Sequence, residues 1–356
     1  MRGTEKFFFE KILAWYEINK RTLPWRGTRD AYTIWVSEVI LQQTRVDQGL
    51  PYFERFIKTF PNVKSLAVSP EEKILRIWQG LGYYSRARNM HRCAQKVLRE
   101  HNGIFPVTFT ELLNLPGIGP YTAAAVSSIA AGDPSPVVDG NVFRVLSRFF
   151  GLEQAINTPA GKNLFSEKAA AIMKEVWSQK VSPGEYNQAI MEFGALQCVP
   201  RNPDCGHCPL SRKCFANSTS TQNLLPVKNK RPSKRERFLN YLVIRSSGKI
   251  WMKKRAAGDV WQGLYDFMMV ETRSKASASQ LKKKFESVIG RTVVLKKLKS
   301  LKHELTHQRL HAVFYSYDVE VKPSDFKLEG GKFFTSSQAA RLPKPVFIDR
   351  LLSEVS

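Results

Sequence analysis

Residues 112–148 read LLNLPGIGPYTAAAVSSIAAGDPSPVVDGNVFRVLSR, and the organisation of the chain follows from them. A short amphipathic helix ends near Asn114 and gives way to the turn Leu115-Pro116-Gly117-Ile118-Gly119. Pro120 suits the first position of the next helix, where a missing N–H would have had no partner anyway. Residues 121–131 are small and apolar, which predicts that this helix is buried. Gly117 and Gly119 let the backbone turn sharply and leave N–H groups uncovered at a helix start, a geometry that suits an anion such as a phosphate. A packing turn between helices uses the same glycines, so the turn alone leaves both readings open. Asp139 precedes a further helix over 141–148 and is placed to cap it.

The chain has 356 residues, enough for two domains with separate cores. It carries 55 Lys+Arg against 31 Asp+Glu, a formal charge of +24. That excess points to a polyanion, because neutralising phosphates releases counterions and supplies sequence-independent affinity. A membrane surface would attract the same charge. However, no apolar run reaches roughly eighteen residues, and the N-terminal segment carries acids foreign to a signal peptide. Nucleic acid is the expected partner, in a cytoplasmic, nucleoid-associated setting. Five cysteines, four of them between 198 and 214, do not form a secreted disulfide framework, so a reducing compartment is expected.

Upstream, residues 5–19 have helical periodicity with an aromatic face, and Pro24 ends that segment. Residues 31–46, AYTIWVSEVILQQTRV, predict a second helix with Asp30 as its cap. Glu38 lies there along an apolar stripe of Ile34, Trp35 and Leu41. A desolvated carboxyl has a raised pKa and can donate a proton near neutral pH. A half-exposed Glu at the edge of the stripe would leave the same pattern. Residues 51–103 read as two or three helices and include W-Q-G-L-G-Y-Y-S-R-A-R-N at 78–89. Its Tyr83, Tyr84, Arg86 and Arg88 combine ring faces with cations, which suits bases and phosphates. A helix over 186–198 leads into Cys198, Cys205, Cys208 and Cys214. Four thiolates so close can hold zinc or an iron–sulfur cluster.

Residues 217–237 are polar, then basic and proline-broken, and read as a linker between domains at 1–216 and 238–356. Beyond it the period changes to that of strands, at 238–245, 250–253, 267–270 and 312–319. Helices are expected at 278–288 and 346–354, which makes the second domain an α+β module.

L-P-G-I-G-P-Y-T-A at 115–123, followed by V-V-D-G-N-V at 137–142, resembles the helix-hairpin-helix and Gly/Pro-Asp signature of endonuclease III-like DNA glycosylases. W-V-S-E-V-I-L-Q-Q-T at 35–44 is similar to the W-x-S-E-x-M-L-Q-Q-T segment of the MutY-type adenine DNA glycosylases, with Ile40 where Met is usual. The resemblance implies a multi-domain protein. Its first domain is an all-α helix-hairpin-helix glycosylase domain, and its second an α+β Nudix (MutT)-like domain. By that match Glu38 protonates the adenine, Asp139 is the catalytic aspartate, and the turn at Gly117 and Gly119 grips a DNA phosphate. Gln43 and Thr44 enter the duplex, Leu41 sits near the flipped base, and Tyr83 wedges beside the opposing oxidised guanine. Glu192 matches an acidic position that contacts the adenine, and Arg26 joins the DNA-binding set. The spacing C-x6-C-x2-C-x5-C is similar to that of the family's [4Fe–4S] loop, which makes the four cysteines cluster ligands.

W-Q-G-L-Y-D-F at 261–267 resembles the MutT-like domain of the same glycosylases. That fold normally binds Mg²⁺ through an R-E-x-x-E-E helix. Here the helix reads SASQLKKKFESVIG, with lysines where acids belong, so no pyrophosphatase chemistry is expected. His303-Glu304-Leu305-Thr306-His307 is similar to the H-x-F-S-H loop that reads 8-oxoguanine, with Leu305 for Phe. The implied partner is double-stranded DNA holding A:8-oxoguanine or A:G mispairs, bound by a monomer. One rival reading is an endonuclease III-like lyase for oxidised pyrimidines, which needs a Schiff-base lysine just after the hairpin. Tyr121 stands there instead and is counted with Glu38 and Asp139 as catalytic. A non-catalytic damage sensor is the other rival, and the joint presence of Glu38 and Asp139 argues against it.

Overall fold

In the computed structural model, which describes residues 2–229, 233–320, 322–326 and 328–355, the chain is helical as far as Ser218. The helices are α1 (Arg2–Asn19), α2 (Ala31–Leu41), α3 (Val46–Thr59), α4 (Val63–Ala67), α5 (Glu71–Ile77) and α6 (Ser85–Glu100). They continue as α7 (Phe109–Leu113), α8 (Pro120–Ala131), α9 (Gly140–Phe150), α10 (Pro159–Ser178), α11 (Pro183–Leu196) and the short α12 (Phe215–Ser218). The mixed part holds strands β1 (Arg235–Ser246), β2 (Lys249–Lys254), β3 (Tyr265–Asp266) and β4 (Met268–Thr272), then α13 (Ala278–Ile289). After it come β5 (Lys296–Glu304), β6 (Gln308–Asp318), β7 (Gly331–Thr335), α14 (Ser336–Arg341) and α15 (Val346–Val355). Two compact units result: Met1–Val68 with Asn89–Lys230, and Ser69–Arg88 with Arg231–Ser356. Of the segment read as a linker, 217 and 218 end α12, 235–237 begin β1, and 230–232 lie outside the described residues.

The helical unit grows from its glycine turn. Gly119 is the N-cap of α8, Pro120 takes the first position, and Gly132 closes the helix in the left-handed region at φ +72°. Between them residues 122–128 are all buried, as small apolar letters require. On the core side Phe8, Phe9 and Ile12 of α1 meet Val142, Val145 and Phe149 of α9 and Phe193 of α11. Gly194 lets α11 approach α9 closely: a Cβ there would fall 2.6 Å from the Asn141 Cβ.

Two expectations fail here. The helix predicted over 31–46 stops at Leu41, Gln43 takes φ +57°, and α3 starts only at Val46. No Gly or Pro marks that break. Tertiary contact makes it, with Gln42 Nε2 donating to Thr122 Oγ1 on α8 at 3.2 Å. Residues 51–103 also hold more helices than read, because the five-residue α4 has no periodicity to see. A capping box at Asn62 and Ser65 starts it.

In the second unit the sheet order is β3-β2-β1-β6-β5, with β4 also on β1 and β7 on β2. β1 and β6 are parallel, and the other pairs are antiparallel. Residues 239–244 of the central β1 are buried throughout, and α13 packs Leu281, Phe285 and Ile289 onto Leu242, Ile244 and Trp251. The strands read from the sequence are present as β1, β2, β4 and β6. β3, β5 and β7 were not expected. β5, KKLKSLKHE, is an edge strand whose lysines are exposed; such charge guards a free edge and hides the strand from a hydrophobic search.

Candidate active site

Asp30 accepts from Thr33 N at 2.8 Å and starts α2, which is buried on almost every side, Glu38 included. Glu38 therefore does not sit at a stripe's edge. Tyr121 Oη, from the first turn of α8, donates to Glu38 Oε2 at 2.6 Å and lies 3.3 Å from Met191 Sδ on α11. Burial drives the Glu38 carboxyl up to about 7, the Tyr121 hydrogen bond opposes that, and the charge of Asp139 adds to it.

Asp139 is the N-cap of α9. Its Oδ1 accepts from Asn141 N at 2.9 Å and Val142 N at 2.8 Å, and its Oδ2 from Asn141 Nδ2 at 3.0 Å. Burial raises this carboxyl too, while the two backbone N–H groups pull it back toward the ionised form. Buried Asn187 pins the loop before Asp139: it accepts from Val137 N at 3.2 Å and donates to Ser135 O and Ser128 Oγ at 2.9 Å. The cap and the loop together fix where the carboxylate points.

A cavity of about 830 Å³ brings both acids together with Leu41, Gln43, Thr44 and Tyr121. Glu192, another acid of its lining, is different. Burial works against the charge on Glu192, yet hydrogen bonds from Arg21 and Arg26 hold its carboxyl at about 2. Arg21 Nη2 and Arg26 Nη2 each lie 2.7 Å from Oε2, and Arg21 N donates to Oε1 at 3.0 Å. Arg26 thus faces Glu192 in this structure. Arg21 was not singled out in the sequence, although it shares the R-T-L-P-W-R segment with Arg26. Arg144 was also missed; its Nη2 donates to Asn141 Oδ1 at 2.8 Å and its Nε to Cys198 O at 2.7 Å.

Just before the N-terminus of α8, Gly117 (φ +78°) and Gly119 are exposed. A Cβ at Gly117 would fall 2.6 Å from that of Asn89, so both backbone angle and space demand glycine.

Cys198, Cys205, Cys208 and Cys214 line one small cavity with Val145, Phe149 and Phe193. Arg148 Nη1 lies 3.4 Å from Cys198 Sγ and 2.8 Å from Val199 O. Among the described residues no three His, Cys, Asp or Glu side chains converge as ligands of a single metal ion. Four soft thiols around a shared, largely apolar hollow fit a sulfur-ligated cluster as a donor set.

In the second unit the tip between β5 and β6 carries Leu305, Thr306 and His307, and Leu305 N donates to Gln308 O at 2.8 Å. Tyr83, at φ +49°, touches Thr306 Oγ1 through its hydroxyl, and the Arg86 guanidinium lies 5.5 Å from its ring centre. Tyr83, Leu305, Thr306 and His307 line a mostly apolar cavity of about 440 Å³ with Trp261, His303 and Phe347. Burial and nearby Arg350 keep His303 below its ordinary pKa.

Residues 36–170 match the HhH-GPD superfamily of base excision DNA repair proteins, and residues 240–354 match the NUDIX domain. An adenine DNA glycosylase of Buchnera aphidicola (subsp. Acyrthosiphon pisum) is 33% identical over 315 residues, 86% of this chain and 85% of that protein. The Homo sapiens adenine DNA glycosylase is 40% identical over 227 residues, 61% of this chain and 41% of that protein. Among solved structures, a thermostable thymine-DNA glycosylase is 29% identical with a TM-score of 0.55, covering 61% of this chain and 98% of that one. The chain thus pairs a helix-hairpin-helix glycosylase fold with a Nudix-like C-terminal domain.

Proposed function

The chain belongs to the adenine DNA glycosylase family, and on that premise we propose that it hydrolyses the N-glycosidic bond of adenine mispaired with 8-oxoguanine, or with guanine, in duplex DNA. One observation carries the reading: two carboxyls with opposed surroundings, Glu38 and Asp139, share one cavity. Glu38, with a pKa of about 7, holds a proton near neutrality and passes it to a ring nitrogen of the adenine, which then leaves neutral. Tyr121 keeps the carboxyl aimed. Asp139, fixed by its two backbone N–H donors, carries negative charge beside the developing oxocarbenium-like sugar, the division of labour seen in paired-carboxylate glycosidases. Water completes the hydrolysis at the anomeric carbon.

Extruding the base costs a few kcal/mol. Gly117 and Gly119 offset part of this by gripping a phosphate, and Gln43 and Thr44 by filling the duplex. Leu41, Arg26 and Glu192 form the wall on the base side, where the ionised Glu192 accepts a hydrogen bond once Arg21 or Arg26 yields. Tyr83, Leu305, Thr306 and His307 read the partner base. Cys198, Cys205, Cys208 and Cys214 would hold a [4Fe–4S] cluster, which would stiffen the loop that follows α11 and would supply electron-transfer capacity when bound.

The test uses labelled duplexes with adenine opposite 8-oxoguanine, adenine opposite guanine, and thymine glycol. Free adenine from the first, without strand cleavage, is the expected outcome. Preferential cleavage at thymine glycol would overturn the reading in favour of a lyase. For the cysteines, anaerobically purified protein should be brown, with broad visible absorption from thiolate-to-iron charge transfer. A colourless protein with stoichiometric zinc would overturn the cluster.

A further inference from the structure

Arg237 lies near the start of β1, almost buried, and plays no part in the chemistry above. Its Nε and Nη2 donate to the two oxygens of Glu271 at 2.8 and 2.6 Å, a bidentate pair. Nη1 donates to Asp259 Oδ1 at 3.0 Å and to Gln308 Oε1 at 3.1 Å. Asp259 also accepts from Arg255, which donates in turn to buried Asp266 at 2.6 Å and lies 5.6 Å from the Trp261 ring centre. Burial opposes charge on Asp259, but Arg237 and Arg255 hold it at about 2, and Arg237 lowers Glu271 as well.

This network ends at the loop tip. Gln308 opens β6, and its carbonyl accepts the bond from Leu305 N that closes the turn. Two residues before Arg237 in β1, Arg235 N donates to His307 O at 3.1 Å. β1 therefore holds the turn at both its last residue and its exit. Trp261, fixed through Arg255 and Asp259, lines the same cavity as Leu305, Thr306 and His307.

We propose that Arg237, Asp259 and Gln308 are positioning residues that fix turn 305–307 and thereby set how strongly the enzyme prefers 8-oxoguanine opposite the adenine. The inference rests on the reading of that turn given above. Its physical basis is preorganisation: a turn with several conformations must be ordered to make its lesion-specific contact, and that cost falls on the 8-oxoguanine duplex, which uses the contact, and not on the guanine duplex, which does not. A buried ionic network adds little net stability, so its value here is a fixed geometry. The planar guanidinium serves three acceptors at once, which a lysine cannot do.

The test uses full-length protein, its Gln308→Met and Arg237→Lys variants, and duplexes with adenine opposite 8-oxoguanine or guanine. In Gln308→Met both carboxylates on Arg237 survive, so melting should stay as in the parent. The ratio of kcat/KM values for the two duplexes should fall about fivefold, roughly what one hydrogen bond supplies. The single-turnover rate at saturating enzyme on the guanine duplex should not move. Arg237→Lys should lower the same ratio and the melting temperature together. If the parent prefers 8-oxoguanine and Gln308→Met retains the full preference, the proposal is overturned. A parent with no preference for 8-oxoguanine would break the reading of the turn itself.

Discussion

The two units give their buried acids different partners. In the helical unit Glu38 is buried and bonded to the phenol of Tyr121, and its carboxyl rises to about 7. In the C-terminal unit Asp266 is buried too, yet Arg255 donates to it at 2.6 Å, and the Asp259 next along the network sits at about 2. Burial still lifts Asp266 to about 6 against its arginine. An acid left without a cation keeps a proton to give away. An acid held by two guanidiniums, as Asp259 is by Arg237 and Arg255, cannot do that, but it fixes geometry. Glu192 shows that the rule follows the partner rather than the address, since it shares the cavity of Glu38 and is held at about 2 by two arginines.

The largest effect that could break this contrast is at Glu38. Glu38→Gln should abolish adenine release, a loss on the order of 10²–10⁴-fold or more in single-turnover rate. The fold should gain. Because the folded pKa lies above the ordinary 4.5, the charged form is disfavoured in the native state. Glu38 thus weakens the parent as pH rises from 4.5 through about 7, and fully above that. Melting above pH 7 should therefore be higher for Glu38→Gln than for the parent, with the gap closing toward pH 4.5. A lower melting temperature at pH 8 would mean that Glu38 is paired after all.

Asp139→Asn comes next. Asparagine caps a helix as well as aspartate does, so the melting temperature should hardly change while release falls on the order of 10²–10⁴-fold. A large drop in melting would make Asp139 chiefly a cap. In the C-terminal unit, Asp266→Asn leaves the Arg255 charge buried with less compensation. It should destabilise the chain by about 3–5 kcal/mol in denaturant melts while sparing the single-turnover rate at saturating enzyme. Equal stability would show that Arg255 finds solvent.

The smallest effect concerns pH. On the proposed mechanism release requires Glu38 protonated and Asp139 ionised, so the rate should fall as pH rises through about 7, and again at acid pH above the ordinary 3.8 of an aspartate. Removing the phenol in Tyr121→Phe deletes the bond that lowers the Glu38 pKa, which should move the basic limb to higher pH. A limb that stays in place would assign it to another group.

How much of this the sequence carried depends on the range of the interaction. The glycine turn, Pro120, the Asp139 cap and the cysteine spacing are local, so they are legible in consecutive letters and recur in the structure. The position of Glu38 in a buried helix was legible only as a choice between burial and an edge. What closed that choice was packing of α2 on nearly every side. The break at Gln42, the short α4 and strand β5 escaped because contacts outside the local pattern, or a charged edge, determine them.

By itself, then, the sequence determined which side chains could do chemistry: two acids on predicted helices, four thiols in one loop, and a basic chain fit for a polyanion. Only the tertiary structure decided what state those side chains are in. Arg21 and Arg26 are 171 and 166 residues from Glu192 in the chain, and Arg237 is 71 from Gln308. A carboxyl's proton affinity depends on the cations and solvent within a few ångströms of it, and no stretch of letters reports who those neighbours are.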